Sequence, residues 1–285
     1  MDRITVTSPA KINLGLEILK KRRDGYHDIK TIFQKISLFD EITLRLSSQR
    51  GITISADDPS IPEDSTNLAY RAAALLLHDQ NLVSGVSIHI KKNIPAGAGL
   101  GGGSSNAAST LLGLNRLMGL QLPADYLQRI CLSLGADVPF FISGHGTAAA
   151  TGIGEILIPL SLTQKLWLVI VFPGFSVSTA WAYAAYGKFN SLTKKKKINI
   201  IKNYILDMQS VKSLLFNDFE AIVIREYPEI KKIKDTLTKA GAVETLLCGS
   251  GSSVFGLFAC QRDSKKAFAM LPTQARHKTF IAHSL

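Results

Sequence analysis

Alternating apolar and polar residues predict strands in three segments of the first third of the chain. Within Ile42–Leu46, Ile52–Ile54 and Val86–Ile90, every second side chain is apolar. Successive side chains of a strand point to opposite faces, so one face of each segment can cover a core while the other meets water. We therefore predict three half-buried strands in antiparallel pairing.

A different hydrophobic spacing predicts helices. Ser65 and Thr66 are suitable N-cap residues for a helix over residues 67–78. Farther along, apolar side chains recur at the i, i+3, i+4 and i+7 positions of one helical face, at Leu127, Ile130, Cys131 and Leu134. No segment repeats at the period of roughly 20 to 50 residues that is typical of solenoids and propellers. The mixture of both periodicities predicts an α+β fold.

The second half begins with a continuous apolar run, Leu166–Phe172, which predicts a central strand. We place a domain boundary near residue 160, giving domains 1–160 and 161–285. A lysine-rich connection, 190–198, precedes a helix with Ile230, Ile233 and Leu237 on one face and Gly241 at its C-terminal end. Two short apolar segments then flank a glycine-serine turn, in ETLLCGSGSSVFGLF.

Composition indicates a folded, water-soluble protein, because 46% of the 285 residues are hydrophobic and 19% are charged. Most of the net charge of +11 lies in residues 161–285, which contain 18 basic and 8 acidic side chains, against 15 and 14 in residues 1–160. Such an excess indicates an anionic partner. Lys194–Lys197 is the densest basic run, but it lacks interleaved aromatic residues, which favours a solvated loop over a nucleic-acid surface.

Cysteine usage and the N-terminus indicate a cytoplasmic protein. Cys131, Cys248 and Cys260 lie far apart, so they predict neither a disulfide framework nor a paired zinc motif. The N-terminal segment has no continuous apolar core of a signal peptide, and no uncharged stretch is long and apolar enough to predict a membrane span. We expect no membrane partner.

Residues 95–108, PAGAGLGGGSSNAA, form the most informative stretch. They follow a predicted strand and lead into a helix, and glycines there let backbone N–H groups approach a phosphate at the positive end of the helix dipole. Ser104 and Ser105 could cap that helix or reach a metal ion. The chain lacks the GKS or GKT of a P-loop. It also lacks the second strand, ending in an acidic residue, that would turn GxGxxG into a dinucleotide site.

At this point the chain resembles the GHMP kinases. The resemblance is carried by SPAKINLGL, RRDGYHDIKTIFQ, STNLAYRAA, PAGAGLGGGSSNAA, GADVPFF and GSGSSVF. It implies a β-rich N-terminal domain with helices, a ferredoxin-like C-terminal domain and a cleft that receives ATP and the acceptor. The DGYH and TIFQ segments and GADVPFF resemble the branch that phosphorylates the 2-hydroxyl of a cytidine diphosphate-linked methylerythritol in the non-mevalonate isoprenoid pathway.

Asp137 and Lys11 are the catalytic residues that the resemblance implies. Position alone would make Asp137 a turn or cap residue and Lys11 a solvent-facing strand residue. The resemblance makes Asp137 the base that accepts the proton of the attacking hydroxyl. It makes Lys11 a cation that pairs with this carboxylate and favours the developing alkoxide, which suits phosphoryl transfer.

The remaining site residues also follow from the resemblance. Those expected to bind ATP are Asn67, Pro95, Gly97, Gly99, Leu100, Gly101, Gly102, Gly103, Ser104 and Ser105, with Mg²⁺ bridging the phosphates and Ser105 as a candidate ligand. Those expected to bind the acceptor are Asn13, Tyr26, His27, Phe33, Thr179, Tyr183, Gly249 and Ser250. His27 is expected to read the cytosine edge and an aromatic ring to stack on its face. Related enzymes have Pro and Phe where this chain has Ala180 and Tyr183.

Two alternatives stay open at the level of the sequence. The first is another GHMP small-molecule kinase, acting on mevalonate or homoserine, against which DGYH and Phe33 argue. The second is a basic RNA-binding module, which would need aromatic residues among the lysines. For the kinase we expect a small-molecule partner, no nucleic acid, and a monomer or weak homodimer.

Overall fold

The computed structural model describes residues 2–189, 198, 205–271 and 277–285. The chain forms two compact units assembled from non-contiguous segments. The first unit contains residues up to Ala10, Phe39–Ala96 and Gly101–His145, and the second contains Lys11–Leu38, Gly97–Leu100 and the chain from Gly146 onward. The units group segments by contact and not by one cut in the sequence, so the boundary near residue 160 stays a prediction.

The first unit packs helices against a sheet. Strands β1 (Arg3–Lys21) and β2 (His27–Ser47) pair with each other and each contributes residues to both units. The other elements are β3 (Gly51–Ala56), α1 (Leu68–Asp79), β4 (Gly85–Lys91), α2 (Gly102–Leu117), α3 (Ala124–Cys131) and α4 (Val138–Ile142). Helix α2 lies very close to the sheet, because a Cβ at Gly113 would come within 2.5 Å of Leu44 Cδ1.

Two local predictions for this unit were wrong. Strand β3 runs parallel to β4, with Ile52 opposite Val86, whereas β4 and β2 are antiparallel as predicted. The crossover helix α1 connects β3 to β4, and a crossover of this length returns the chain in the same direction. The cap of α1 is Asn67, whose Oδ1 accepts a hydrogen bond from Ala69 N at 2.9 Å. Thr66 is not available for this role because Asp64 accepts its hydroxyl at 2.6 Å.

The second unit contains a four-stranded antiparallel sheet in the order β10-β11-β7-β12. Its strands are β7 (Trp167–Phe172), β10 (Glu244–Leu247), β11 (Val254–Phe258) and β12 (Lys278–His283). The helices of this unit are α5 (Thr179–Phe189), α6 (Met208–Leu214), α7 (Glu220–Glu226), α8 (Glu229–Lys239) and α9 (Gln261–Met270). A βαββαβ path with this strand order is the ferredoxin-like arrangement, as expected.

Shorter strands complete the second unit. Strands β5 (Thr147–Thr151) and β6 (Ile156–Leu162) extend from the N-terminal part of β2, and β8 (Ile205–Leu206) and β9 (Phe216–Asn217) pair with β6 and β1. The predicted helical face of α8 is confirmed, because Ile230, Ile233 and Leu237 are buried. The α+β class is confirmed.

Two further observations concern earlier expectations. Residues Lys194–Lys197, the basic run considered for nucleic-acid binding, lie outside the described residues. None of the helices in the described part of the chain is long and apolar enough to cross a bilayer.

Candidate active site

Helix α2 begins after a glycine in a left-handed conformation. Its N-cap is Gly101, which has a φ of 70° in the left-handed region, a conformation that residues other than glycine rarely adopt. In the described chain no side chain caps the first turn, so the prediction that Ser104 or Ser105 caps α2 was wrong. Both serines lie inside the helix because the turn starts at Gly102. Uncapped N–H groups and the helix dipole make this end suitable for an anion.

Ser105 is enclosed by polar neighbours within the first unit. Its Oγ accepts a hydrogen bond from Ser8 Oγ at 2.9 Å, Ser8 Oγ also lies 2.8 Å from Asn106 Oδ1, and the side chain of Ser105 is fully buried. Asn67 is similarly engaged, since its Nδ2 donates to Pro62 O at 2.8 Å while its Oδ1 caps α1. Metal binding by Ser105 would therefore require its hydroxyl to exchange partners.

Asp137 precedes α4 and is half-buried. It occupies the N-cap position of that helix, but its carboxylate makes no capping hydrogen bond. The following residues, Val138–Phe141, are buried and fix the start of the helix in the core. The structural role that position alone suggested for Asp137, a helix cap, is thus not the role of its side chain.

The segment Gly97–Leu100, in the second unit, is pressed against the glycine-serine turn. Gly97 and Gly99 have φ of 62° and 77°, and a Cβ at Gly99 would lie only 2.0 Å from Cys248 O. Ala98 O accepts a hydrogen bond from Ser253 N at 3.2 Å. Glycine is required at Gly99 for both conformation and space.

Lys11 is buried in β1 and oriented by neighbours on the same strand face. Its Nζ donates to Asn13 Oδ1 at 2.7 Å and lies 5.2 Å from the centroid of the Phe33 ring. Asn13 Nδ2 donates in turn to Thr31 Oγ1 at 2.7 Å. The predicted common face of Lys11 and Asn13 is confirmed. A buried, oriented ammonium can stabilise negative charge better than a solvated one.

The glycine-serine turn approaches this lysine. A Cβ at Gly249, which has φ of 53°, would lie 3.6 Å from both Lys11 Nζ and Asn13 Oδ1. Asn217 Nδ2 holds the turn by donating to Leu247 O at 2.9 Å and Gly249 O at 2.7 Å. The turn connects the hairpin strands β10 and β11, and its Gly249 lies beside Lys11. Beside it, the hydroxyls of Thr179 and Ser250 are 2.9 Å apart.

An aromatic pair lies elsewhere in the second unit. The rings of His27 and Tyr183 stack with centroids 4.8 Å apart and an interplanar angle of 14°. Burial, together with the charge of Lys21, lowers the pKa of His27, so its imidazole is neutral near pH 7 and can both donate and accept a hydrogen bond. Tyr26 is 60% exposed, whereas Phe33 is almost fully buried beside Lys11. The structure therefore groups Phe33 with Lys11, and a stacking role for Phe33 stays a prediction.

Sequence reasoning missed several residues that shape these surroundings. Ser8 and Thr31 lie inside quoted motifs, and the alternation of strand residues could have placed Thr31 on the face of Asn13. Asn217 carried no local signal, because its partners lie about 30 residues away in the chain. The Cys248 side chain is fully buried in the turn, and this burial raises the pKa of its thiol.

Comparison with known proteins gives consistent similarities. The model of the GHMP kinases N terminal domain matches residues 67–145, and that of the GHMP kinases C terminal matches residues 200–277. The 4-diphosphocytidyl-2-C-methyl-D-erythritol kinase of Geobacter metallireducens is 45% identical over 94% of this chain and 93% of its own length. That of Syntrophus aciditrophicus is 41% identical over 99% of both.

A solved structure resembles the whole chain as well. The crystal structure of a 4-(cytidine 5'-diphospho)-2C-methyl-D-erythritol kinase superposes with a TM-score of 0.82, at 34% identity and 99% coverage of both chains.

Proposed function

This chain belongs to the GHMP kinases and, within them, to the 4-diphosphocytidyl-2-C-methyl-D-erythritol kinase family, and on that premise we propose that it phosphorylates the 2-hydroxyl of 4-diphosphocytidyl-2-C-methyl-D-erythritol. The phosphoryl donor is ATP. The observation that carries the proposal is the buried Lys11, held by Asn13, in a chain 45% identical to a relative of that name.

Phosphoryl transfer requires positioning and charge stabilisation more than covalent chemistry by the protein. In this proposal the start of α2 and its glycines bind the phosphates, and the Asp137 carboxylate accepts the proton of the attacking hydroxyl. The ammonium of Lys11 stabilises the charge that develops on that oxygen. The glycine N-cap of α2, which leaves the first turn without a side-chain cap, supports the phosphate role.

The acceptor side uses hydrogen bonding for selection and rings for affinity. We assign the reading of the cytosine edge to the neutral imidazole of His27 and stacking to Tyr183, with Tyr26 at the exposed rim. The Gly249 backbone supplies polar groups near Lys11 and Asn13, and the paired hydroxyls of Thr179 and Ser250 are assigned to the acceptor side. Stacking accepts any base, so discrimination against uracil must come from polar pairing.

Mg²⁺ is proposed to accompany ATP and to neutralise charge on its phosphates. Among the described residues, no group of three or more His, Cys, Asp and Glu side chains is arranged to hold a metal. Mg²⁺ commonly keeps several waters and is bound through substrate phosphates, so a site with few protein ligands is compatible with Mg²⁺. Ser105 remains the candidate protein ligand.

The direct test measures ADP release by the purified protein with ATP and a panel of acceptors. The panel contains the cytidine diphosphate-linked methylerythritol, its uridine counterpart, free methylerythritol, mevalonate and homoserine. We expect the highest kcat/KM with the cytidine compound. Faster turnover of mevalonate or homoserine would overturn the substrate while leaving the kinase family intact.

A further inference from the structure

A buried ion pair lies immediately before the glycine-rich segment, and the mechanism above does not use it. Lys92 Nζ donates to Asp40 Oδ2 at 2.7 Å, and the two side chains are 4% and 0% exposed. Lys92 follows β4, and Asp40 lies on β2, which pairs with β4. Burial of two charges is expensive unless each is well hydrogen-bonded. A buried ion pair is therefore weak evidence for stability, and its hydrogen-bond partners show which part of the chain it holds in place.

The carboxylate of Asp40 fixes the turn from the sheet into the glycine-rich segment. Its Oδ1 accepts hydrogen bonds from Asn93 N and Ile94 N, each at 2.8 Å. These are the peptide groups at which the chain leaves β4. Charge-assisted bonds to two successive N–H groups hold the direction of this turn more firmly than neutral bonds would.

The ammonium of Lys92 reaches the first turn of α2. Besides Asp40 Oδ2, it donates to Ile94 O. A Cβ at Gly102 would lie 3.1 Å from Lys92 Nζ and 3.1 Å from Ile94 Cγ2. Gly102 is not among the glycines with positive φ. A side chain at this residue would crowd Lys92 and Ile94 by a few tenths of an ångström, because the turn that Asp40 and Lys92 hold packs against the start of the helix.

We propose that Lys92 and Asp40 are positioning residues for the nucleotide phosphates. The pair joins the Asn93–Ile94 turn to the sheet and thereby fixes the position of the first turn of α2. The N–H groups of that turn bind the phosphates. Neither side chain needs to touch the nucleotide. This inference rests on the proposed function only in taking ATP as the ligand of α2.

The test uses a double change that keeps the buried charge balanced, Lys92→Met with Asp40→Asn. Each single change would leave one buried charge without its partner and would confuse folding with binding. The matched control is Lys91→Met with Glu41→Gln, which removes the neighbouring pair on the same two strands. The N–O distance of that pair is similar, at 2.8 Å, but its two side chains are 56% and 43% exposed.

Calorimetric titration with a non-hydrolysable ATP analogue, without acceptor, gives the nucleotide Kd independently of turnover. We expect the Lys92/Asp40 double variant to raise that Kd roughly 10-fold or more, about the effect of losing one charge-assisted contact. The Lys91/Glu41 control should stay within about 2-fold, the span of a surface pair. In steady state, KM for ATP should rise while KM for the acceptor stays unchanged.

Two outcomes would overturn the inference. One is a folded double variant that binds the analogue as tightly as the control. The other is a double variant that does not fold while the control does, which would assign the pair to the fold alone. If the wild-type chain binds the analogue but phosphorylates none of the acceptors, the proposed substrate fails and this comparison still decides the role of the pair.

Discussion

Polar groups at the start of α2 in the first unit are buried and bonded to one another, whereas those around His27 in the second unit are half-exposed. Ser8, Ser105 and Asn106 form one closed set of contacts, and Lys92 with Asp40 forms another. On the acceptor side Tyr26 is 60% exposed, and one face of the His27 ring stacks on Tyr183.

This difference teaches where pre-organisation is needed. Phosphates are recognised by backbone N–H groups that must converge on one point, so the elements carrying them need rigid support. A base is recognised through a ring face and one edge. His27 and Tyr183 now stack directly on each other, so a base between them would require the pair to separate. We therefore expect changes in the first unit to act on rate and ATP affinity, and changes at His27 and Tyr183 to act on the selectivity and the affinity for the acceptor.

The largest expected effect is the loss of the proposed base. Asp137→Asn should lower kcat by roughly 10²- to 10⁴-fold, the usual contribution of a general base, and leave the Kd of an ATP analogue unchanged. Asparagine has nearly the same size as aspartate, so the substitution removes the charge without opening a cavity. Steady-state assays of the folded variant measure this change in kcat. Near-normal turnover would show that Asp137 is not the catalytic base. A cycle with Lys11→Ala should give losses that do not add, if both serve one proton transfer.

Gly101→Val should weaken nucleotide binding by about 10²-fold or more, because a β-branched residue resists the left-handed conformation and crowds the approach of the phosphates. The control is Gly119→Val, at the other end of α2. Gly119 has a similar φ of 65° and open space around its Cβ. It should cost comparable stability in thermal unfolding but leave the calorimetric Kd for ATP unchanged. Equal losses of ATP affinity in both variants would mean that backbone strain alone is responsible.

Substitution on the acceptor side should separate selectivity from affinity. His27→Ala should reduce the preference for the cytidine over the uridine acceptor by about 10- to 100-fold, as expected for loss of one hydrogen bond to a buried partner. Tyr183→Ala should raise the acceptor KM and leave that preference intact, because stacking does not distinguish bases. The comparison requires kcat/KM for both acceptors in each variant. If Tyr183→Ala erased the preference and His27→Ala did not, the two roles would have to be exchanged.

The smallest effect concerns two buried lysines. Burial lowers the pKa of Lys35 to about 8 from 10.5, so its charge costs stability. The native state then releases a proton before the unfolded state does, and stability rises with pH between about 8 and 10.5. Lys35→Met should raise the free energy of unfolding at pH 7 by roughly 1 to 2 kcal/mol, with the gain vanishing above about pH 10. Lys92→Met should instead destabilise, because it strands Asp40. Urea unfolding at pH 7 and pH 10 tests both, and a gain for Lys35→Met that is independent of pH would exclude charge as its cause.

Local patterns predicted much of this molecule because their causes are local. The period of two predicted Lys11 and Asn13 on one face of β1, and Gly97, Gly99 and Gly101 adopt left-handed backbone conformations that other residues avoid. The apolar face of α8 and the hairpin of β10 and β11 follow from the same kind of information. Motif resemblance added the candidate roles of Asp137 and His27, which spacing alone could not supply.

The sequence by itself thus determined the features whose cause is local, namely the half-buried strands, the apolar face of α8 and the glycine conformations, since periodicity and φ depend on near neighbours. Only the tertiary structure decided that β3 is parallel to β4 and that Asp40 pairs with Lys92, 52 residues away. It also decided that Phe33 lies beside Lys11 and that Ser8 meets Ser105. These contacts depend on sheet register and on the crossing of distant segments, and no local periodicity carries that information.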